Sequence, residues 1–167
     1  MHRPPAWTPP PAEARALQAL VRRLESLEQM RHMEHNRLEA GPATAAVRTS
    51  LETTIAFLDA QITHTKRQIK EHIDEHPSLK QQRDLLTSIP GIGNTTAAAL
   101  LAELQNVSQF TGARQVAAFA GLVPRIRQSG SSVRGRPCLS KVGSGRLRKA
   151  LYLRRWWRCA ATHQSRP

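Results

Sequence analysis

Residues 125–136 contain the side chains that are best suited to chemistry on a phosphate ester. The stretch reads RIRQSGSSVRGR, in which Ser129, Ser131 and Ser132 lie among arginines. These arginines are Arg125, Arg127, Arg134 and Arg136. A guanidinium binds a phosphate through two parallel hydrogen bonds, and its charge favours ionisation of a nearby hydroxyl. Composition alone indicates a phosphate-binding or disordered loop, because a nucleophile is recognised by its geometry.

Residues 86–97 have the pattern of a helix-hairpin-helix unit. They read LTSIPGIGNTTA, in which Gly91 and Gly93 permit backbone torsions and a close approach that a side chain would block. We expect Asn94 or Thr95 to cap the second helix. Exposed amides at the start of that helix can bind a phosphate oxygen and so hold DNA without reading its sequence. A tight turn with a purely structural role is the simpler alternative.

A second basic segment, residues 140–152, reads SKVGSGRLRKALY and predicts a turn that leads into a basic helix. The residues that we expect to contact DNA phosphates here are Lys141, Arg146, Arg148 and Lys149. Tyr152 is a formal nucleophile, but no histidine lies near it in the sequence to accept its proton. We therefore expect Tyr152 to pack on the face of the helix.

The charge of the chain is concentrated at one end. Residues 1–103 hold 12 Lys+Arg and 12 Asp+Glu, whereas residues 104–167 hold 13 Lys+Arg and no carboxylate, so the net charge of +13 lies entirely in the second part. This asymmetry indicates a nucleic-acid surface, because each phosphate contact releases condensed counterions. A solvated basic tail is the alternative. A two-metal nuclease site needs clustered carboxylates and is not expected in this chain.

Several other classes of function find little support. Cys138 and Cys159 are too few for a disulfide framework, no signal peptide is evident, and no apolar run approaches the ~20 residues needed to cross a bilayer. We therefore expect a cytoplasmic protein, associated with the nucleoid and not with a membrane. Residues 72–76 fit the H-x-x-E-H pattern of some zinc peptidases. They lie in a helical repeat with no evident third ligand, so we expect no metal site.

The spacing of apolar residues predicts a mostly α-helical fold. Leucines recur every three or four residues from about Ala12 to Ala40, and a second stripe runs from about Thr44 to Glu75. A Gly-Pro turn separates the two helices, which indicates an antiparallel coiled-coil hairpin over residues 12–77. Such a hairpin cannot bury both stripes, so we expect self-association. Packing of the two stripes on the following domain is the alternative.

A small helical domain is expected to follow over residues 79–153. Its helices are predicted near residues 79–88, 95–105, 112–120 and 144–158, with the helix-hairpin-helix over 79–105. The Gly-, Ser-, Arg- and Pro-rich residues 123–142 predict a long functional loop. Residues 1–11 carry five prolines and no apolar period, and they predict a disordered leader.

Together these segments resemble the insertion-sequence one-ten family of transposases, also described as bridge-RNA-guided recombinases. The matching segments are 89–93 (IPGIG), 100–103 (LLAE), Phe110, 117–124 (AAFAGLVP), 128–130 (QSG), 140–143 (SKVG) and 147–152 (LRKALY). Several matches in one order are far more specific than any single match.

The resemblance implies a RuvC-like amino-terminal domain with acidic Mg²⁺ ligands, then a coiled coil, then a transposase domain. The family's nucleophilic serine attacks a DNA phosphodiester and matches Ser129 here, with Ser131 and Ser132 as rivals. DNA, a guide RNA and a second copy of the chain are the implied partners. No cofactor is expected in this chain, because Mg²⁺ belongs to the RuvC-like domain, for which there is no room before Ala12.

The sequence departs from the family pattern after Leu153. Residues 154–160 read RRWWRCA, where the family carries small apolar residues. We therefore expect residues 154–167 to be a frameshifted or disordered tail, and not tryptophans that stack on bases. We expect a transposase fragment that is inactive alone. The alternatives are a catalytically dead DNA-binding module and a purely structural helical protein.

Overall fold

The computed structural model describes residues 9–42, 44–105, 107–129, 133–140 and 142–151, and within them the fold is mostly helical. The elements are α1 (Ala12–Glu39), α2 (Ala45–Glu75), α3 (Pro77–Thr87), α4 (Asn94–Leu104), a 3₁₀ turn (Val107–Gln109), α5 (Ala113–Phe119), β1 (Pro124–Ser129), β2 (Val133–Leu139) and α6 (residues 145–151). The expected leader falls mostly on residues 1–8, and Tyr152 and the expected tail fall on residues 152–167. These segments lie outside the described residues.

Helices α1 and α2 form an antiparallel pair, and their bounds agree with the apolar stripes to within one residue. The antiparallel direction follows from cross-helix contacts such as Arg31 Nη1 to Asp59 Oδ1 at 3.0 Å and Lys66 Nζ to Glu28 Oε1 at 3.2 Å. Thr44 caps α2, because its hydroxyl accepts a hydrogen bond from the Val47 amide at 3.3 Å.

The two ends of this helical pair have different surroundings. At the base, leucines and isoleucines of both helices share one core with α3 and α4. That core contains Leu17, Val21, Leu24, Leu27, Leu58, Ile62, Ile69, Ile73, Leu79, Ala98, Leu101 and Ala102. At the far end Met33 is 50% exposed and Phe57 is 61% exposed. The alternative in which the stripes pack on the following domain therefore holds for the base, and self-association remains a prediction.

Helices α3 and α4 are joined by a tight turn that the predicted pattern located correctly. Gly91 adopts a φ of +88° in this turn, a conformation that side chains disfavour. The Ile92 amide donates to the Ile89 carbonyl at 3.0 Å, and the Ile92 side chain is buried. Ile92 joins a second core with Ala97, Leu100, Ala120 and Leu147, which attaches α5 and α6 to α4.

The expectation of a long loop over residues 123–142 was wrong. Strands β1 and β2 pair antiparallel, with Pro124 opposite Leu139, Ser129 opposite Val133, and an irregularity between Arg125 and Arg127. Pairing satisfies backbone amides and carbonyls that a loop would leave to water. The sequence did not predict these strands because it lacks the alternation of apolar and polar residues by which a strand is recognised.

Two glycines fix the base of this β-hairpin against the helices. A Cβ on Gly121, whose φ is +67°, would lie 2.6 Å from Arg148 Nη1 and 2.7 Å from the Val142 carbonyl oxygen. A Cβ on Gly143, whose φ is +134°, would overlap the carbonyl oxygen of Phe119. At this glycine crossing, where residues 142–144 pass residues 119–121, the Ser144 amide donates to the Phe119 carbonyl oxygen at 3.0 Å. Beside it, the Ser140 amide donates to the Val123 carbonyl oxygen at 2.9 Å. The backbones meet so closely that neither position can hold a side chain.

Within the described residues, no helix is both long enough and apolar enough to cross a membrane.

Candidate nucleic-acid interface

A cavity of about 310 Å³ lies between α1, α2, α4 and α6. Its apolar residues include Val21, Leu24, Ile69, Ile73, Ala98 and Ala150. Its charged residues are Glu25, Glu28, Lys66, Lys70, Arg83, Glu103, Arg146 and Lys149. Five of these eight side chains are cationic, so the cavity combines an apolar interior with a basic rim.

The first turn of α4 opens onto this cavity. Asn94, Thr95 and Thr96 line it, and Asn94 and Thr95 are exposed. The expectation that Asn94 or Thr95 caps the helix was wrong, because Gly93 occupies the N-cap position and no side chain accepts a hydrogen bond there. The amides of the first turn have no acceptor within their own helix and carry a partial positive charge. They are therefore suited to bind an anion.

The two glycines of the turn before α4 differ in what they permit. Gly91 needs its positive φ, as the sequence indicated. Gly93 has an ordinary φ of −88°, and a Cβ placed there would meet no atom within 4 Å. Gly93 is therefore not required by the fold of this chain, and its missing side chain leaves open space beside the start of α4.

Arg146 and Lys149 lie on the rim of the cavity, as do Asn94 and Thr95, so the structure brings both predicted motifs to one place. Arg146 Nε donates to Glu25 Oε2 of α1 at 3.0 Å. Lys149 is exposed and forms no ion pair with any described residue. Lys149 is thus the cation of α6 that is most available to an anion.

Arg148 is placed differently from its two neighbours. Its Nη1 donates to the carbonyl oxygens of Ala120 at 3.1 Å and Gly143 at 3.3 Å, so the guanidinium holds the glycine crossing together. Lys141 lies outside the described residues. DNA contact by either residue remains a prediction, and the position of Arg148 indicates a supporting role.

Three cations of the rim were missed by reasoning from the sequence. Lys66 and Lys70 belong to α2, and Arg83 belongs to α3. Lys66 pairs with Glu28 at 3.2 Å, whereas Lys70 forms no ion pair with a described residue. Their region is neutral when its charges are counted along the sequence, so only the packing of α2 beside α4 shows that they share a surface with Lys149.

Arg83 is committed to a different contact. It is hydrogen-bonded to Asp74 of α2 and to Asp84 of its own helix. The hydrogen bond from Arg83 holds the pKa of Asp74 below its ordinary value, and the coulombic attraction of Arg83 acts in the same direction. This ion pair connects α3 to α2, and it makes Arg83 less available to bind an external anion.

Glu103, the last carboxylate of the sequence, is also engaged in a hydrogen bond. Its Oε2 accepts a hydrogen bond from Ser144 Oγ at 2.8 Å. Ser144 Oγ in turn accepts from the Leu147 amide at 3.3 Å and so caps α6. Glu103 therefore positions the basic helix.

Ser129 is the last residue of β1 and pairs with Val133, so its backbone lies at the tip of the β-hairpin. Ser129 lies five positions after Pro124 at the base, which corresponds to roughly 16 Å of extended strand. Ser131 and Ser132 lie outside the described residues. The register places Arg127 opposite Gly135 and Arg134 opposite Gln128, so the arginine-bearing strands lead directly to the serine position.

Comparison with known proteins identifies the family to which the second half of the chain is similar. Residues 83–166 match the model of the transposase IS116/IS110/IS902 family, which is half of the chain. The match includes residues 154–166, and the frameshifted or disordered tail expected over residues 154–167 remains a prediction.

Among the curated relatives, the pilin gene-inverting protein of Moraxella bovis is 33% identical over 150 residues, which cover 90% of this chain and 46% of that protein. The transposase for insertion sequence element IS1328 of Yersinia enterocolitica is 29% identical over 150 residues, covering 89% of this chain and 39% of that protein. The chain therefore spans somewhat less than half the length of these relatives.

Proposed function

The chain belongs to the IS116/IS110/IS902 transposase family, and on that premise we propose that it holds DNA by its phosphate backbone during transposition or recombination. The observation that carries the proposal is the cavity on which the start of α4, Lys70 and Lys149 converge. We further propose that Ser129 is the residue that attacks the DNA phosphodiester.

The α3–α4 unit supplies the first part of the phosphate site and acts as a helix-hairpin-helix. The first amides of α4 have no side-chain cap, and the helix adds about half a positive charge at that end. Gly93 leaves space for a sugar-phosphate backbone to approach. An N-terminal turn of this kind favours a phosphate oxygen and is indifferent to the base that the nucleotide carries.

The lysines of the rim supply the second part. Arg146 and Lys66 are already paired with Glu25 and Glu28, so a phosphate must compete with a carboxylate for each of them. Lys70 and Lys149 form no ion pair with a described residue, and their counterions are released when a phosphate binds. These two lysines are therefore expected to contribute most of the salt-dependent affinity at this surface.

The proposed chemistry is a transesterification at phosphorus. The Ser129 hydroxyl oxygen bonds to phosphorus while one P–O ester bond breaks, so the strand leaves with a hydroxyl group and the serine becomes a phosphoserine ester. The reverse attack by a strand hydroxyl reseals the DNA and conserves the ester bond, so no ATP is needed. Arginines of the strands would stabilise the charge that develops on the phosphate.

The proton of Ser129 needs an acceptor, and the sequence after Glu103 contains no carboxylate. We propose that an acidic, Mg²⁺-binding domain of the RuvC-like type supplies this part of the site in a longer protein. A guide RNA and a second copy of the chain are the further partners that the family resemblance implies. Without the acidic domain, we expect this chain to bind DNA and not to exchange strands.

The DNA-binding proposal is tested with a double variant, Lys70→Gln and Lys149→Gln. Titration of a fluorescent duplex at several salt concentrations gives the slope of log affinity against log salt. We expect the magnitude of this slope to fall by about 2, since two phosphate contacts are lost. Lys80→Gln is the matched control, because Lys80 is an exposed lysine that forms no ion pair with the part of the chain that the structure describes and does not line the cavity.

The control should keep the slope of the unaltered protein. An equal slope for the unaltered protein and the double variant would reject this surface as the phosphate site, even if the chain binds DNA elsewhere. An equally large reduction from Lys80→Gln would attribute the effect to net charge and would also reject a specific surface.

A further inference from the structure

Two histidines and a glutamate meet where α2 ends and α3 begins. One ring nitrogen from each of His72 and His76 and one carboxylate oxygen of Glu75 lie within 4.8 Å of one another. The two imidazole rings have their centroids 4.5 Å apart. We propose that His72, Glu75 and His76 bind a divalent transition-metal ion of the Zn²⁺ class and that this ion braces the junction of the helices.

The hydrogen bonds of the two histidines determine which of their nitrogens are free. His72 Nε2 lies 2.9 Å from the Glu13 carbonyl oxygen, and His76 Nδ1 lies 2.7 Å from the His72 carbonyl oxygen. A carbonyl oxygen only accepts, so each of these nitrogens carries the proton. In the neutral rings Nδ1 of His72 and Nε2 of His76 are therefore left with a lone pair.

This arrangement is the one that orients histidine ligands in metal sites. A metal-binding imidazole donates its other N–H to a carboxylate, a backbone carbonyl or water, which fixes the tautomer and the ring orientation. Both rings here do so with backbone carbonyls that the folded helices hold in place. The donor set is thus oriented before an ion arrives.

Glu75 differs from the carboxylates beside it. Glu71 pairs with Arg67, and Asp74 pairs with Arg83, whereas Glu75 forms no ion pair with any described residue. Most of the carboxylates in this cationic protein are paired. An unpaired carboxylate with an oxygen within 4.8 Å of a ring nitrogen of each histidine makes a three-donor set that lacks a positive partner.

The chemistry of the donors selects the class of ion. Two imidazole nitrogens and one carboxylate suit Zn²⁺ and related transition ions, whereas Mg²⁺ prefers an all-oxygen set. A water molecule would complete the coordination. The proposed site departs from the expectation from sequence that this chain binds no metal, and the role that we propose for it is structural.

Such an ion would fix the end of α2 to the residue that precedes α3, and the His72 ring would connect it indirectly to α1. His72 and Glu75 belong to α2, His76 is the residue between α2 and α3, and the His72 ring is hydrogen-bonded to the start of α1 at Glu13. Bound metal would therefore stabilise the base of the α1–α2 pair. The stabilisation grows with ion concentration, because the ion binds the folded state in preference to the unfolded chain.

The test uses the full chain, freed of metal with a chelator and then titrated with Co²⁺ and with Zn²⁺. Co²⁺ gives a visible absorption band whose intensity reports low coordination number, and Zn²⁺ is followed by calorimetry and thermal unfolding. We expect one ion per chain and a rise in Tm on the order of 5 °C at roughly 100 times the Kd.

Glu75→Gln and His76→Asn should each weaken Zn²⁺ binding by at least about tenfold. The asparagine amide can still donate to the His72 carbonyl, so loss of the helix cap is separated from loss of the ligand. Glu71→Gln and His64→Asn are the matched controls, since both residues lie on the exposed surface of α2, and they should bind as the unaltered protein does.

Two results would overturn the proposal. One is the absence of saturable Zn²⁺ binding to the unaltered chain. The other is binding that survives both Glu75→Gln and His76→Asn, which would place the ion elsewhere, for example at His35 and Glu39.

Discussion

The α3–α4 unit and the β-hairpin carry different parts of the proposed function, and they are attached to the protein in different ways. Helix α4 contributes to both cores, with Ala98 and Leu101 in one and Ala97 and Leu100 in the other. The β-hairpin is joined to the helices through hydrogen bonds and the two glycines at its base. The unit proposed to position DNA is therefore packed into both cores, whereas the unit that carries Ser129 is joined to the helices at its base.

The two regions also differ in how their charges are balanced. All 12 carboxylates fall within residues 1–103, where most of them form ion pairs with nearby cations. The β-hairpin strands contain four arginines and no acid. At the cavity, Lys70 and Lys149 form no ion pair with a described residue, whereas the strands of the β-hairpin contain no acid that could pair with their arginines.

The largest expected effect separates chemistry from binding. In a protein that also carries the acidic domain, Ser129→Ala should lower strand exchange by roughly 10⁴-fold or more, because a methyl group cannot replace a nucleophilic hydroxyl. DNA affinity should change by about 1 kcal/mol at most. The measurement is the covalent protein–DNA adduct on a denaturing gel, with Ser140→Ala as control. A retained adduct would transfer the role to Ser131 or Ser132.

The next effect tests how the hairpin is attached. Gly143→Ala should destabilise folding by about 3 kcal/mol, since the new methyl group overlaps the Phe119 carbonyl and φ is positive there. Urea denaturation measures the change. Gly145→Ala is the control two residues later, where a Cβ would make an ordinary 3.6 Å contact with Arg148. Equal stability of the two variants would show that the crossing is loose.

A smaller effect concerns the turn before α4. Gly91→Val should weaken DNA binding by about tenfold while α1 and α2 stay folded, because a side chain in the left-handed region costs roughly 1–2 kcal/mol and the turn shifts to relieve it. Circular dichroism and fluorescence anisotropy measure the two properties together.

Gly93→Ala sharpens that comparison, because the added methyl group meets open space in the protein. Its stability should be unchanged, and its DNA affinity should fall only if DNA approaches the start of α4. Full affinity in both glycine variants would remove the turn from the interface.

The smallest effect is electrostatic and belongs to the helical region alone. The folded-state pKa of Asp74 is lowered by Arg83, so the stability from this pair is present above the unfolded pKa of about 3.9 and is lost as the pH falls through the lower folded value. Asp74→Asn should therefore lower Tm slightly at pH 7, and the difference should shrink below about pH 4. A difference that is independent of pH would reject the ion pair as its source.

The sequence predicted the elements that depend on local pattern. The apolar stripes located α1 and α2, and Gly91 located the turn before α4, because each of these signals lies within a few residues. The β-hairpin was missed because its strands are polar, and its ends are brought together by Gly143 contacting Phe119 across 24 positions. No local pattern reports such a contact.

The candidate site was predicted only in part, because local patterns do not report which elements pack together. Asn94, Thr95, Arg146 and Lys149 were identified from their motifs, and the cavity joins them. Lys70 was missed because residues 1–103 have no net charge, and its proposed role depends on which element α2 packs against. Arg148 was expected on the DNA side, whereas its guanidinium is turned to backbone carbonyls of its own domain.

The central claim is that this chain holds DNA through phosphates, and the salt dependence of its affinity tests that claim most directly. The affinity for two duplexes of unrelated sequence is measured between about 50 and 200 mM salt. The account predicts a steep linear fall of log affinity with log salt, with the same slope for both duplexes. A flat dependence would contradict it and would favour a structural helical protein that does not bind DNA.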